Sequence, residues 1–241
     1  MKLAKLRASY PLDGTHRPIL MTEVTRMTGG LVCVAGIDIH AGTMARPLYP
    51  NGNNWPEAEW CPTDIMVVGN IISVERHPRV PTLYPHATED MSVVRAFKSG
   101  DISKKSLHDV CRELHDASIS SIFSQTVIDG KYISDGTNCR SLGCIEITPD
   151  RIHPHVFYDK LRINIHDIDG RYYDPPVTEL ETKNTGDANA GLAALQARLA
   201  AHDHDYPIIL RIGLTRGWVG PDHNWDPKRC TIQINGIVER N

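Results

Sequence analysis

The chain has 241 residues, 41% hydrophobic and 23% charged, which is enough apolar mass for one large core or two modest ones. Its 26 Lys and Arg stand against 29 Asp and Glu; the resulting charge of -3 excludes a strongly basic coat for polyanions but leaves room for a local phosphate site. Aromatic residues are 6% of the chain, too few for a wide base-stacking platform, and 18 Gly with 16 Pro cut it into the short pieces of a strand-and-loop fold.

Residues 1–18 lack the apolar core of a secretion signal, and no stretch approaches the roughly 20 apolar residues of a membrane helix. Cys33, Cys61, Cys111, Cys139, Cys144 and Cys230 show no paired spacing of a zinc knuckle. Reduced thiols and a cytoplasmic location, with no membrane partner, are therefore expected. Residues 19–26 read as a strand, Thr28-Gly29-Gly30 as a tight turn and 31–39 as a second strand, forming a hairpin. Ala41-Gly42 turns the chain into 44–49. A polar loop over 50–62 carries Trp55 and Trp60, and 64–75 reads as a β-branched strand with Gly69 at a bend or bulge. Four short strands by residue 76 fit a small barrel or sandwich.

A proline-rich connector follows over 77–85, then a short helix over 90–97. A stronger helix over 103–115 places Leu107, Val110, Cys111 and Leu114 at helical spacing, with Ser103 or Asp101 as its cap; 118–124 extends it. Strands return at 142–147. Leu161, Ile163 and Ile165 alternate with Arg162, Asn164 and His166, a half-buried strand, and Asp169-Gly170 turns the chain into 171–174. A polar loop over 182–188 leads into an alanine-rich helix marked by Leu192, Leu195 and Leu199, with Asp187 as cap. Strands over 206–214 and 230–239 complete the pattern.

A weak internal echo links the two ends. Thr25-Arg26, a turn, then Gly36-Ile37 matches Thr215-Arg216, a longer loop, then Gly236-Ile237; Leu142-Gly143-Cys144-Ile145 is a partial third copy. Two related β units are one reading, and short apolar strands of similar composition are the other. The sequence also resembles the bacterial dual OB-fold (dual OB-containing domain) proteins. The resemblance rests on Thr25-Arg26-Met27 with 32–38, Ala45-Arg46-Pro47-Leu48, Arg140-Ser141-Leu142-Gly143, 172–180, 210–218 and Ile234-Asn235-Gly236-Ile237, in order along nearly the whole chain. It implies two oligonucleotide-binding-type barrels and a nucleic-acid or nucleotide ligand. Arg216 is followed by Gly217-Trp218, where the family pattern has proline and then an aromatic; that departure alters the turn.

The candidate chemistry is a palette of donors. Arg26, Arg46, Arg140 and Arg216 offer guanidinium forks that match phosphate or a base edge, while Thr25, Ser141, Thr215 and Asn235 can donate to phosphate or sugar. Gly36, Gly143 and Gly236 would let a ligand or another backbone come close. Residues 1–46 hold six basic against three acidic residues, mildly in favour of binding. The competing reading pairs the arginines with acids such as Asp38 and Asp64. Trp55, Trp60, Trp218 and Trp225 fall in loops, where a ring either stacks on a base or covers a core; covering is favoured for Trp60 and Trp218, and both readings stay open for Trp55 and Trp225. His202-Asp203-His204-Asp205 and His153-Pro154-His155 invite a metal, but a local cluster needs distant partners, so a polar linker is favoured. Asp38 and His40 share a strand face, an acid/base pair without an accompanying nucleophile. No nucleophile elbow, phosphate-cradling loop or zinc-protease helix occurs.

The expected fold is mainly β with α insertions: two OB-like β-barrel units over 1–85 and 126–241, joined by a helical segment over 86–125. The expected function is non-enzymatic binding of single-stranded nucleic acid or a nucleotide, without cofactor or metal, at an arginine-lined site. Two alternatives stand beside it. One is a metal- or His-dependent enzyme acting on nucleic acid or nucleotides. The other is a scaffold that takes a protein partner on an exposed strand edge.

Overall fold

A computed structural model of the chain describes residues 1–49, 54–60, 64–76, 82–183 and 186–240. Cys61, and parts of the loop expected over 50–62 and the connector over 77–85, lie outside them. The fold is mainly β with some helices, in two compact units: Met1–Thr82 with Glu89–Leu114, and Leu83–Thr88 with His115–Asn241.

The first unit is built on β1 (His16–Met27), β2 (Leu31–Asp38), β3 (Thr43–Leu48), β4 (Trp55–Pro56), β5 (Asn70–Arg76) and β6 (Asp90–Asp101). β1 pairs with β2 on one side and β5 on the other; β5 pairs with β6, β6 with β3 and β3 with β2. Five strands therefore close into a barrel, in which β3 and β6 are the parallel pair. Leu20, Val32, Val34, Ile37, Ile71 and Val74 lie in its core. Each such side chain contributes about 1.5–3 kcal/mol by leaving water. Helix α1 (Leu3–Ser9) buries Leu3 and Leu6. Trp55 is buried with its indole N–H on the Pro47 carbonyl, its ring edge-on to Tyr49 and to Trp60 of α2 (Glu57–Trp60).

The stretch expected as a helix over 90–97 is strand β6. Val93 and Val94 are β-branched and suit an extended backbone, and pairing along β5 and with β3 outweighs any local helical preference. The next helix, α3 (Lys104–Glu113), forms as expected: the Ser103 hydroxyl accepts from the Ser106 N–H, and Leu107, Val110 and Cys111 are buried. Residues 118–124 do not extend it. They form a separate helix, α4 (Ile119–Phe123), with its own Ser118/Ser121 capping box, in the second unit.

The second unit contains β7 (Tyr132–Ser134), β8 (Leu142–Ile147), β9 (Ile152–Phe157), β10 (Lys160–His166), β11 (Tyr172–Tyr173), β12 (Ile208–Leu214) and β13 (Arg229–Val238), with helices α5 (Leu180–Lys183) and α6 (Ala188–Ala200). β7, β13, β12 and β8 form a curled antiparallel half-barrel in that order, and β11, β10 and β9 form a three-stranded ribbon. The second unit is thus a half-barrel and not the closed barrel expected. Its core gathers Ile145, Ile163, Ile165, Leu195, Leu210, Ile212 and Ile234 from both sheets and α6. Asp187 caps α6 by accepting from the Ala190 N–H. Arg198 of α6 reaches the buried Glu179 and Glu239 carboxylates at 2.5 and 2.8 Å.

The echo corresponds to one hairpin in each unit, β1–β2 and β12–β13. Leu20 pairs with Ile37 and Met21 with Gly36; Leu210 pairs with Ile237 and Arg211 with Gly236. Each hairpin then carries a bulge, on opposite strands: Thr22 is the extra residue on β1, Asn235 on β13. The turns differ most. Thr28-Gly29-Gly30 is tight, with both glycines at positive φ, whereas residues 215–228 form a long loop.

Candidate functional site

Taken one by one, the predicted arginines are mostly occupied with acids. Arg26 is exposed and holds Glu57 in a two-bond fork at 2.5 and 3.1 Å, which keeps the Glu57 carboxyl below its usual range. Arg46 is 3% exposed, with Nη1 2.7 Å from the buried Asp90 carboxylate, a placement inside the barrel wall. Arg140 is half-exposed, donating Nε–H to the Ile122 carbonyl and pairing with Asp116. These three arginines pair with carboxylates inside their own units, and the acids expected for them go elsewhere: Asp38 pairs with Arg17, and Asp64 with Lys98. Arg216 is exposed at the root of the 215–228 loop.

The predicted hydroxyl and amide donors serve the fold. Thr25 is buried and donates to the Cys33 carbonyl; Ser141 is fully buried, and its carbonyl accepts from Leu214. Asn235, the bulge residue, is buried with its Oδ1 3.4 Å from the Thr178 hydroxyl. Thr215 pins the loop root: its Oγ1 accepts from the Thr231 N–H at 2.9 Å, and its carbonyl is 3.1 Å from His86 Nε2. Gly36 backs onto the Leu20 carbonyl, so the space it leaves is filled by backbone.

The other clusters resolve into local structure. The Asp38 carboxylate accepts the His40 and Ala41 N–H groups, forming an Asx turn, and His40 Nε2 lies 2.7 Å from the Tyr10 carbonyl. His202 is buried, with Nδ1 accepting the Arg240 N–H and Nε2 at the Tyr206 carbonyl. No group of three or more His, Cys, Asp or Glu among the described residues could hold a metal ion. Burial pushes the Cys230 thiol up to about 12, and the adjacent Asp135 carboxylate adds to the rise. It is an inert thiol at neutral pH.

One set of side chains in the second unit stands apart. Arg229, the first residue of β13, lies with its guanidinium carbon 4.5 Å from the Tyr132 ring and 4.1 Å from the Trp225 ring. Trp225 meets Trp218 edge-on, centroids 5.2 Å apart, and Trp218 is 51% exposed. The result is a ladder of ring, cation, ring and ring ending in a half-exposed indole. The loop is built to hold it. Trp218 and Arg229 exchange backbone hydrogen bonds at 3.1 and 3.0 Å, and the Trp225 N–H donates to the Val219 carbonyl. Gly220 has φ +87°, and a Cβ there would meet the Trp225 ring at 2.7 Å. Gly217, the departure from the family pattern, lies against the Asp135 carboxyl, where a Cβ would come within 2.5 Å. Arg216, two residues before Trp218, and Lys228, one before Arg229, are exposed. The sequence places the two tryptophans in a loop and Arg216 at its root, but the core-covering role expected for Trp218 does not match its half-exposed ring. Sequence reasoning missed Tyr132 and Arg229, because nothing local ties a residue on β7 to the start of β13; only their strand pairing does.

No helix among the described residues is long and apolar enough to cross a membrane. No family model matches the sequence, and no curated protein matches it. A solved structure of a murine DNA-binding protein bound with double-stranded DNA is similar to this chain at 9% identity, over 93% of this chain and 96% of that one, with a TM-score of 0.34. So loose a likeness identifies neither fold nor ligand.

Proposed function

We propose that the protein binds single-stranded nucleic acid, a nucleotide being the minimal ligand, through the β12–β13 loop of its second unit. The observation that carries this reading is the Tyr132–Arg229–Trp225–Trp218 ladder. An indole held edge-on by a second indole is pre-oriented, so stacking a base on it costs little further entropy. Such a contact contributes roughly 1–3 kcal/mol per base and tolerates any base. Arg216 and Lys228 supply phosphate contacts beside it. The closed barrel of the first unit, with one parallel pair between its third and fifth barrel strands, supports an oligonucleotide-binding-type barrel there. The curled second unit, with an echoed hairpin, is read as an opened relative. The net charge of -3 fits a short, stacking-led site in place of a broad electrostatic coat.

The test is fluorescence polarisation of a labelled oligonucleotide at low salt. The parent protein binds. Trp218→Ala weakens binding roughly tenfold by removing one stacked base, and leaves the unfolding midpoint nearly unchanged because the indole is half in solvent. Absence of binding by the parent overturns the reading.

A further inference from the structure

The three-stranded ribbon of the second unit presents two faces of opposite character. Ile152, Leu161, Ile163 and Ile165 point into the core, beneath which α6 contributes Leu195. Pairing register puts the alternate residues on the outer face in four cross-strand rungs: Phe157 with Lys160, His155 with Arg162, His153 with Asn164, and His166 with Tyr172. Every residue of this strip carries a ring or a donor, and none is aliphatic. The rings fall into two groups. His166 and Tyr172 lie edge-on at 4.8 Å, and His153 and His166 at 6.3 Å. Phe157 and Tyr158 lie edge-on at 4.4 Å. Carboxylates border the strip on both sides: Asp174 pairs with Arg162 at 2.8 Å and stands 3.6 Å from His155, and Asp150 and Asp167 line one pocket with His153 and His166.

The hairpin tip is unusual for its sequence. Tyr158 and Asp159 form a two-residue turn with φ of +46° and +54°. Such turns favour Asn and Gly, and a bulky residue there is disfavoured. Yet the tyrosine placed there is 83% exposed, and its neighbour Phe157 is 54% exposed. Packing therefore does not account for either ring. A conformational cost accepted in order to display an aromatic is the kind of outlier that points to a contact outside the chain.

We infer that this ribbon face is a second contact strip for the same single-stranded nucleic acid: Tyr158, Phe157, Tyr172 and the histidine rings take bases, and Lys160 takes a phosphate, while Asp174 holds Arg162 in place. The proposal rests on the nucleic-acid reading above and extends it to a path separate from the tryptophan ladder. Sheets that read single strands work by this combination of stacked rings and strand-borne donors.

The experiment compares Tyr158→Asn, His166→Ala and Trp218→Ala in the full chain, using a labelled thymidine oligonucleotide, with photocross-linking of a 4-thiothymidine version mapped by mass spectrometry. Asn suits the turn, so Tyr158→Asn unfolds at or above the parent midpoint, and a loss of binding cannot be assigned to misfolding. The expected result is a roughly tenfold weaker affinity for Tyr158→Asn, a smaller loss for His166→Ala, and cross-links in the peptide holding Phe157 and Tyr158. Parent-like affinity in both ribbon variants, with cross-links confined to the 215–229 loop and weakened binding in Trp218→Ala, overturns the ribbon proposal and leaves the ladder standing. No binding by the parent overturns both.

Discussion

The two units carry related hairpins and put them to different ends. In β1–β2, the turn is three residues long, and the arginine that precedes it, Arg26, is closed off by Glu57. In β12–β13, the corresponding Arg216 opens a long loop that organises two tryptophans around Arg229. The barrel walls also differ. β2 and β3 of the first unit are largely buried, Arg46 included, whereas the outer ribbon face of the second is a run of accessible rings and donors. A shared strand framework therefore says little about where a ligand goes. Connections between strands and uncovered sheet faces decide it, because they escape the packing that constrains the walls.

That contrast can be broken or sharpened. The largest effects come from the buried clamps, one in each unit. Arg46→Ala removes the cation paired with buried Asp90, and Arg198→Ala the cation shared by Glu179 and Glu239; each is expected to cost about 3–5 kcal/mol in urea unfolding. Hydrogen exchange should localise the opening to β3 and β6 in the first variant and to β13 and α6 in the second. Next comes Gly220→Ala. A side chain at φ +87°, against the Trp225 ring, displaces the loop at a cost of roughly 1–3 kcal/mol. Tryptophan emission should shift, and oligonucleotide affinity should fall with little change in the first unit.

The echoed arginines give a smaller and more discriminating result. Arg216→Ala is expected to weaken binding a few-fold and to reduce the salt slope by about one. Arg26→Ala should leave affinity unchanged and cost less than about 1 kcal/mol, as expected for an exposed pair. Equal effects from the two would erase the distinction between the units. The smallest effect is at the entrance to β1. Hydrogen bonds from the His16 N–H and side chain, and from the Thr15 N–H, hold the Asp13 carboxyl down at about 2, from an ordinary 3.8. A depressed carboxylate stabilises the fold above its unfolded value and loses that contribution as pH falls towards 2. Asp13→Asn should therefore flatten the acid limb of thermal stability between those values.

What could be read in advance was what depends on near neighbours. The alternation of Leu161, Ile163 and Ile165 with polar residues, the Ser103 and Asp187 caps, and the Gly29-Gly30 turn each follow from backbone sterics and local hydrogen bonding. The echo was legible for the same reason, since a Gly-Ile pair late in a strand marks a repeated register. β6 was not legible: Val93 and Val94 fit a strand, but only β5 and β3 alongside make the extended form win. Nor was closure. The amino-acid sequence by itself determined a β-rich chain of low net charge, with a weak echo between its two ends. Tertiary structure alone decided that one unit closes and the other stays a half-barrel, that Arg46 and Arg140 meet carboxylates, and that Arg229 slots between Tyr132 and Trp225. The reason is physical. Propensity acts over a few residues, whereas a guanidinium or an exposed ring takes its role from groups that strand pairing brings in from far along the chain.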